Sequence, residues 1–438
     1  MNGQIWDTKP LEFWGKIKEM REKWEKSIDD PDMVLGQGNT GGGDWARAFP
    51  AMTIIEDNPA GSTIAYRDMA FARKSRLASE VRGWGRELCG YHGVLWGCQY
   101  LGYQVDGSPF TNRQLVVPIP CVCDQHTKRG IQARDFAPVP QWQNDFTMYL
   151  GDYDPDREVD MINHRLYNQL RMINDIERIF GQRFDEEKME QILRASSKIA
   201  DYQAETYFMM ANKPSPLSVK DIYSFFQLGA LVKFAPEETE ELWKSIRDEV
   251  KWRVDNKIAA VATERFRWME AHPPVWHFLK YYRYMEQYGA VCIGSQYTSN
   301  CARQLEIKPD GTRGIREYPH HPGDTPFETR EDIFRYSMGN DVRLPHHFKQ
   351  DEYLRPFALN EFAEFFQVDG AFFKLHRSGV GCTFTRKEQA MRLRNAGYSV
   401  MCYEGSQSGD PTDLDEKRML EQLDSWMEIN GLRKWETN

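Results

Sequence analysis

Long apolar segments and clustered positive charge are both missing from this sequence. None of its apolar runs approaches the ~18–20 residues that a membrane-spanning helix needs. The formal net charge is −9 at pH 7, whereas nucleic-acid binding requires a surface rich in lysine and arginine. The first residues also lack the basic end and the apolar core of an export signal. We therefore expect a cytoplasmic protein that contacts neither a membrane nor nucleic acid.

Cysteine is scarce as well, with eight residues in a chain of 438. So few thiols exclude a disulfide scaffold, and the Cys-x-x-Cys pairs of structural zinc sites do not occur. In a reducing cytoplasm each cysteine is then a core residue, a nucleophile or a metal ligand. The glycine-rich run at 36–43 lacks the Lys-Ser/Thr pair of a phosphate loop, so we interpret it as a flexible connection.

The stretch from Val368 onward predicts a strand–loop–helix–strand unit. Val368–Leu375 and Tyr398–Tyr403 are short apolar runs, and Thr385–Asn395 between them has a helical pattern. Such a unit is expected to have parallel strands with a right-handed crossover. Its loop, 376–382, follows the carboxyl end of the first strand, where open α/β sheets bind ligands. Cys382 ends this loop and is a candidate site residue, with a buried apolar role as the alternative.

Two further segments place cysteines in a similar context. Leu115–Ile119 reads as a buried strand, and Cys121 and Cys123 follow its carboxyl end. Cys89 lies in Ser79–Leu101, a helical pattern interrupted by several glycines. Glycine is costly inside a helix, so its repetition indicates that another part of the backbone approaches closely.

Two other cysteines look structural. Cys292 and Cys402 lie inside predicted strands and are interpreted as core residues.

Hydrophobic periodicity divides the chain into α/β and helical parts. It indicates an amphipathic helix at Pro10–Lys26 and a long helical stretch with a proline-rich hinge or linker at 212–216. We expect an α/β protein with two open, mostly parallel-sheet domains that face each other across a cleft and are joined by a helical region. The predicted parts are an N-terminal helical or irregular extension (1–60), a first α/β domain (61–159), a helical bridging region (160–272) and a second α/β domain (273–438). Residues 303–350 are predicted to be irregular.

Six segments carry a resemblance to a known family. They are ELCGYHGVLWG, VVPIPCVCDQHTKR, NKPSPLS, PPVWHFLKYYRYMEQYGAVCIGSQYT, VDGAFFKLHRSGVGCTFT and EKRMLEQLDSWMEI. From about residue 60 to 435 the chain resembles a subunit of the benzoyl-CoA reductase and 2-hydroxyacyl-CoA dehydratase family. Residues 1–55 and 303–350 match that family poorly.

The resemblance implies a 4Fe–4S cluster held by three cysteines, which are Cys89, Cys123 and Cys382. Lys128 lies at the family's spacing from Cys123. This spacing favours Cys123 over Cys121 as the second ligand. The third position departs from the family pattern, because residues 379–381 lengthen the loop before Cys382.

Within the family, NKPSPLS and the Pro-Pro-aromatic segment resemble the larger cluster-bearing subunit of an ATP-dependent benzoyl-CoA reductase. Such a subunit implies a smaller paralogous cluster subunit, two ATPase subunits, a ferredoxin-type reductant, and benzoyl-CoA or a related aromatic acyl-CoA as substrate. The reaction would be a two-electron dearomatisation to a cyclohexadiene-carbonyl-CoA. The absence of a phosphate-loop motif agrees with ATP hydrolysis by the partners and not by this chain.

Reduction of an aromatic thioester needs a low-potential electron, protection of the ketyl product from water, and an acid that protonates the ring. His126 and His376 flank the predicted ligands and are the candidate proton donors, although either can instead hydrogen-bond a cluster sulfur. Two other functions are compatible with the same cysteines. One is a 2-hydroxyacyl-CoA dehydratase subunit, which eliminates water through a ketyl radical. The other is a non-catalytic electron-transfer subunit whose cluster has four cysteine ligands.

Overall fold

The computed structural model describes most of the chain. The described residues are 4–28, 30–38, 44–85, 88–117, 125–136, 138–142, 155–225, 228, 234–271, 274–295, 298, 305–307, 310, 313–315, 327–339, 357–375, 386–405, 408–410 and 415–435. Within these ranges, no helix is both long enough and apolar enough to cross a membrane.

Helices make up much of the described chain. In chain order they are α1 (Trp14–Ile28), α2 (Asp57–Arg67), α3 (Met69–Glu80), α4 (Gly90–Leu101), α5 (Gln125–Phe136), α6 (Pro155–Phe180), α7 (Glu186–Met209), α8 (Val219–Phe225), α9 (Pro236–Asp255), α10 (Lys280–Glu286), α11 (Arg330–Gly339), α12 (Phe357–Phe365), α13 (Arg386–Asn395) and α14 (Glu416–Ile429). Asp68, Asp185 and Asp415 cap α3, α7 and α14, because each side chain accepts a hydrogen bond from an N–H in the first turn.

The described strands form two parallel sheets and one hairpin. They are β1 (Val34–Gly38), β2 (Met52–Glu56), β3 (Leu115–Val116), β4 (Phe266–Glu270), β5 (Ala290–Ser295), β6 (Leu305–Ile307), β7 (Arg313–Ile315), β8 (Gly370–Leu375) and β9 (Ser399–Glu404). The first sheet has the order β2-β1-β3 and the second β5-β4-β8-β9, while β6 and β7 pair antiparallel. The expected α/β class with parallel sheets is therefore confirmed, and the arrangement as two domains across a cleft stays a prediction.

The central strand of the first sheet contains glycines that were interpreted as a connection. A Cβ atom on Gly36 would lie 2.4 Å from Cδ1 of Ile54, and one on Gly38 would lie 2.1 Å from its Cγ2. The glycines therefore let β2 pack closely against β1. The interpretation of 36–43 as a flexible connection is wrong for its first three residues, and 39–43 lie outside the described residues.

The strand–loop–helix–strand unit of the second sheet is confirmed at both strands and at the helix. β8 and β9 pair in parallel from Gly370↔Ser399 onward, and α13 lies between them in the chain. Cys292 in β5 is buried, as predicted. The core placement of Cys402 is wrong, because β9 is an edge strand and this side chain lies on its exposed face.

The second sheet also contains a strand that the sequence did not predict. β4 lies inside the region expected to be helical, yet all five of its residues are buried. It carries two charged side chains, Arg267 and Glu270, and because of them the sequence pattern resembles that of an exposed segment. Arg267 donates hydrogen bonds to the carbonyl oxygens of Ala211 and Phe366, and these bonds compensate its burial. The prediction of an entirely helical bridging region is therefore wrong near its end.

The helical block between the sheets is otherwise as expected. Gly181, with φ of +67°, follows the end of α6 and separates it from α7. Met189 and Leu193 of α7 belong to the apolar core of the first sheet, whereas Ile199 and Tyr207 belong to that of the second. The block therefore connects the two cores through α7.

Two loop predictions need correction. The segment 212–216 is buried from Pro214 onward, and the Ser215 N–H donates to Glu264 at 2.8 Å, so it is not a flexible hinge. Residues 303–350 contain the β6–β7 hairpin and α11 and are therefore not uniformly irregular.

The first 60 residues pack against both cores. Phe13 and, within α1, Ile17 and Met20 join the core of the second sheet, while β1 and β2 belong to the first sheet. This part of the chain is therefore not an irregular extension, and the remaining domain boundaries stay predictions.

Candidate functional site

Cys89 is the predicted site residue whose surroundings the structure describes. It immediately precedes α4, is half-buried and carries a reduced thiol. Outside the described residues lie Cys121, Cys123, His376 and Cys382, and only the backbone of His126 is described. The site is therefore built outward from Cys89 and from the strands that lead to the other candidates.

Cys89 occupies the N-cap position of α4, and the helix is buried from Gly90 to Gln99. The first N–H groups of a helix have no partner within the helix, and the helix dipole adds partial positive charge at that end. Both effects favour an anionic sulfur at an N-terminus. Cys89 thus stands where a thiolate ligand is electrostatically favoured.

Close packing of α3 on α4 fixes the position of that helix. The hydroxyl of Ser79 donates to the carbonyl oxygen of Gly93 at 2.6 Å. A Cβ atom on Gly97 would lie only 1.7 Å from the Ser75 carbonyl oxygen. The close backbone approach predicted from the glycines of this segment is therefore confirmed.

The start of α4 also contacts the chain just beyond the second sheet. A Cβ atom on Gly90 would lie 2.7 Å from both the backbone N and O of Ser408. Buried Arg76 of α3 donates to the same Ser408 carbonyl oxygen at 3.0 Å and lies 4.0 Å from Asp410. Because Ser408 follows β9 closely, Cys89 lies near the carboxyl edge of the second sheet.

The chain continues toward His376 and Cys382 from this same edge, where β8 ends. β8 ends at Leu375, whose carbonyl oxygen accepts a hydrogen bond from the Gly405 N–H at 3.1 Å. The described ends of β8 and β9 therefore lie side by side, a few residues from the contact with α4.

The first sheet approaches Cys89 from another direction. α2 begins directly after β2, and a Cβ atom on its Gly61 would lie 2.1 Å from the Tyr91 carbonyl oxygen. The start of α4 is thus close to the carboxyl edge of the first sheet. Tyr91 also reaches the second α/β region, because its hydroxyl donates to the Pro274 carbonyl oxygen at 3.4 Å.

The helix that follows Cys123 packs on α4 as well. In α5, the Gln132 side-chain amide donates to Gln99 at 3.0 Å, and the ring of Phe136 lies 6.0 Å from that of Tyr100. These contacts join the last turns of the two helices, each of which begins just after a predicted ligand.

His277 is a buried histidine that the sequence did not single out. It lies just after β4, in the 3-10 helix Trp276–Phe278. Burial, and then the positive charge of Arg73, lower the pKa of His277 from 6.5 to about 4. Among the described residues, no group hydrogen-bonds its Nδ1 atom. The imidazole is therefore neutral at physiological pH.

A buried group of polar side chains occupies the carboxyl ends of three strands of the second sheet. We call it the Glu270 cluster, and its members are Glu270 of β4, Lys374 of β8, Ser295 of β5, Tyr223 of α8, and Tyr281 and Tyr282 of α10. Lys374 Nζ lies 3.0 Å from Glu270 Oε1, and neither side chain is exposed. Tyr281 donates to the same oxygen, while Tyr223 and Tyr282 donate to Oε2. The carboxylate therefore accepts four hydrogen bonds in the interior.

The tyrosines of this cluster keep their protons. Burial, followed by the negative charge of Glu270, raises the pKa of Tyr223, Tyr281 and Tyr282 well above the usual value near 10. The same two causes raise the pKa of Cys292 in β5. Each phenol is therefore a hydrogen-bond donor to a carboxylate that only accepts.

The sequence contains a signal for the Glu270 cluster, namely charged residues within otherwise apolar segments. Lys374 stands inside the apolar run of β8, and Glu270 ends a segment with two aromatic residues. A charged residue in an otherwise apolar strand is rarely buried without a partner. Pairing the two charges was not possible from the sequence alone, because 104 positions separate them.

The described side chains form no metal-binding cluster. Among the residues that the structure describes, no group of three or more His, Cys, Asp or Glu side chains is placed to hold a metal ion. Fold and site together define an α/β protein in which chain segments at the carboxyl edges of two parallel sheets approach one cysteine-bearing helix start.

Comparison with known proteins gives the family. The model of the 2-hydroxyglutaryl-CoA dehydratase D-component family matches residues 70–429, and the chain belongs to this family. It is also 21% identical over 361 residues to the (R)-2-hydroxyisocaproyl-CoA dehydratase alpha subunit of Clostridioides difficile, covering 81% of this chain and 80% of the relative. Both names describe components of acyl-CoA enzymes, so the chain belongs to a family of enzyme subunits. The resemblance inferred from the sequence is confirmed at this level.

Proposed function

We propose that this chain is the cluster-bearing, acyl-CoA-binding subunit of a multi-subunit enzyme that forms a ketyl radical on its substrate. The observation that carries the proposal is the position of Cys89. Its thiol stands at a buried helix N-terminus that is contacted from the carboxyl edges of both sheets. Open parallel sheets bind their ligands at such edges.

The residues present fit an iron–sulfur cluster. Cys89, Cys123 and Cys382 would hold it, and the bound cluster would supply low-potential electrons to the thioester. The chain itself contributes the helix N-terminus at Cys89 and tight packing around Gly90, which excludes water from that side. His126 and His376 are proposed to protonate the substrate or to hydrogen-bond the cluster sulfurs.

The reaction that we propose is ATP-dependent reduction of benzoyl-CoA or a related aromatic acyl-CoA. The two segments that resemble the reductase subunit are neighbours in space. NKPSPLS leads directly into α8, and the ring of Tyr223 in α8 lies 5.2 Å from that of Trp276, in the Pro-Pro-aromatic segment. Both border the Glu270 cluster at the carboxyl edge of the second sheet, which supports a shared role at the substrate.

This proposal requires partner subunits. A smaller paralogous cluster subunit would complete the acyl-CoA site, and two ATPase subunits with a ferredoxin-type reductant would deliver the electrons. This chain has no phosphate-loop motif and would therefore depend on those partners for ATP hydrolysis.

The second candidate is dehydration of a 2-hydroxyacyl-CoA. The family description and the named relative both refer to dehydratases, and this favours the candidate. Elimination of water through a ketyl radical needs the same cluster ligands, so the two candidates differ in substrate and not in cofactor.

Anaerobic purification tests the cofactor. We expect a brown protein with one 4Fe–4S cluster, and loss of iron in Cys89→Ser and Cys123→Ser. Cys402→Ser is the matched control, because its thiol is exposed on an edge strand, and it should retain the iron. Cys121→Ala should also retain it. A colourless wild-type protein that contains no iron or sulfide would contradict the proposal.

The substrate is tested with the reconstituted complex, given benzoyl-CoA and a 2-hydroxyacyl-CoA in separate reactions. ATP-dependent loss of the aromatic absorbance supports the reductase. Formation of an enoyl-CoA, with benzoyl-CoA unchanged, supports the dehydratase. An iron-containing complex that converts neither substrate would leave the non-catalytic electron-transfer function as the better explanation.

A further inference from the structure

The Glu270 cluster ends at a small cavity at the carboxyl end of β5. The cavity has a volume of about 10 Å³, the room of a single water molecule. Its lining includes Ser295, Thr298, Tyr207, Phe208, Phe362 and Phe366. A polar group therefore faces a mostly apolar wall at the edge of the sheet where ligands bind in this fold class.

Hydrogen bonds connect this cavity to the buried carboxylate. The hydroxyl oxygens of Tyr223 and Ser295 lie 2.8 Å apart, and Tyr223 donates to Glu270 Oε2 at 2.9 Å. A phenol has one proton, and an ionised carboxylate can only accept. Tyr223 therefore gives its proton to the bond with Glu270 and accepts a hydrogen bond from Ser295. The lone pairs of the Ser295 oxygen remain as acceptors for a group in the cavity.

We propose that Ser295, Tyr223 and Glu270 form a proton relay between the cavity and the buried carboxylate, and that this relay serves the reaction of the acyl-CoA site. The inference rests on the proposed function for its substrate, but the relay itself is a property of these three residues. The cavity has room for one water molecule, so the partner of the relay is a water that passes protons between Ser295 and the acyl group.

The proton transfer is balanced at each oxygen. A donor in the cavity gives a proton to Ser295, the Ser295 proton moves to Tyr223, and the Tyr223 proton moves to Glu270. Each of the two hydroxyl oxygens breaks one O–H bond and forms another, the carboxylate becomes neutral and the donor becomes the anion. No electron is transferred, and the reverse sequence delivers a proton to the cavity.

The other groups around Glu270 explain how the carboxylate can hold or release this proton. Lys374 and Tyr281 bind Oε1, on the side away from Tyr223, and they remain in place when Oε2 is protonated. Tyr282 donates to Oε2, but within the described part of the chain its hydroxyl makes no hydrogen bond to Ser295. Removal of either hydroxyl, that of Tyr223 or that of Tyr282, therefore deletes one hydrogen bond to Oε2 of Glu270. Of these two residues, Tyr223 is the one that connects Oε2 to Ser295 and the cavity.

This difference supplies a matched pair of variants, Tyr223→Phe and Tyr282→Phe. In the reconstituted complex, Tyr223→Phe should lower substrate turnover by at least about 100-fold, the range of positioned proton transfer. Tyr282→Phe should lower it by less than about tenfold. Iron content and acyl-CoA binding should stay unchanged in both. Ser295→Ala should reproduce the effect of Tyr223→Phe. Equal losses in the two phenylalanine variants, or full turnover in Tyr223→Phe, would overturn the relay.

A second measurement requires no turnover. After transfer of the purified chain to D₂O, infrared spectroscopy follows exchange of the Tyr223 hydroxyl, assigned by difference against Tyr223→Phe. Exchange should slow at least about tenfold in Ser295→Ala, which breaks the link to the cavity, and stay near the wild-type rate in Tyr282→Phe. Equal rates in all three proteins would overturn the relay. A wild-type complex that converts neither substrate contradicts the proposed function, while this exchange measurement still decides the relay.

Discussion

Lys374 carries a charge into the interior of the second sheet, and its partner Glu270 is equally inaccessible to solvent. Lys374→Met should lower the free energy of unfolding by about 3–5 kcal/mol, because it leaves the Glu270 charge buried without its counterion. Lys280→Met is the control, since its ion pair with Glu416 is 64% and 50% exposed, and its loss should cost less than about 1 kcal/mol. Denaturant titrations of both variants give the comparison. Similar losses of stability in the two variants would show that burial does not determine how much the Lys374–Glu270 ion pair stabilises the protein.

Two glycines of α4 should respond in opposite ways to the same substitution. A Cβ atom on Gly97 would lie 1.7 Å from the Ser75 carbonyl oxygen, whereas one on Gly93 would meet only Arg76 Cγ at 3.8 Å. Gly97→Ala should therefore force α3 and α4 apart and cost about 3 kcal/mol. Gly93→Ala should be neutral or stabilising by up to about 1 kcal/mol, because alanine favours the helix. Thermal unfolding distinguishes the two, and destabilisation by Gly93→Ala would contradict this reading of the contact.

At the residue scale, the sequence predicted the strands that contain Cys292 and Cys402 better than it predicted the burial of their thiols. Cys292 is in the core, as expected, but Cys402 is exposed although its strand was correctly identified. The position of a strand within its sheet decides this difference, and that position depends on pairing with distant segments.

At the scale of single elements, the short helix after β4 should make stability depend on pH. The pKa of His277 is about 4 in the folded protein and about 6.5 in an unfolded chain. Between these values the unfolded chain binds a proton that the folded protein does not. Stability from neutral His277 is therefore complete above about pH 6.5 and is lost as the pH falls towards 4.

The measurement compares wild type with His277→Gln. The free energy of unfolding of wild type, relative to that of His277→Gln, should fall by about 3 kcal/mol between pH 7 and pH 4. His164→Gln is the control for loss of an imidazole at an exposed site on α6. A constant difference for His277→Gln would contradict the expected effect of burial.

Elements with a clear local pattern were predictable, and those that depend on distant partners were not. The sequence identified β8, α13 and β9, because apolar runs and a helical pattern follow each other there. It missed β4, whose Arg267 and Glu270 look exposed until their partners are known. It also missed β1, whose glycines are explained by the Ile54 side chain of the neighbouring strand.

At the scale of the whole molecule, the site depends on contacts that no local pattern contains. The resemblance to a family suggested that Cys89, Cys123 and Cys382 act together. The structure adds that the start of α4 touches chain segments at the edges of both sheets, through Gly61 on one side and Ser408 on the other. The hydrogen bond between Arg76 and Ser408 joins residues 332 positions apart. Such a contact was not predictable from one sequence.

Arg76 should therefore hold the helix start at Cys89 against the second sheet. Its buried guanidinium donates to Ser408 at 3.0 Å and pairs with Glu80 at 3.1 Å. Arg76→Met removes a charged hydrogen bond worth about 1.5–3 kcal/mol. The opened form of this contact should become roughly tenfold to a hundredfold more populated.

Limited proteolysis under conditions of fast reclosing measures that population at the chain around Ser408. We expect faster cleavage there in Arg76→Met, together with weaker retention of iron after anaerobic dilution. Lys74→Met is the matched control on the same helix, because Lys74 is exposed and its side chain contacts Tyr103 and not Ser408 among the residues that the structure describes. It should cleave at the wild-type rate. If Arg76→Met also cleaves at that rate, the contact with Ser408 does not hold the two parts together, and the position of Cys89 must be fixed by the packing of α2 and α3 on α4 instead.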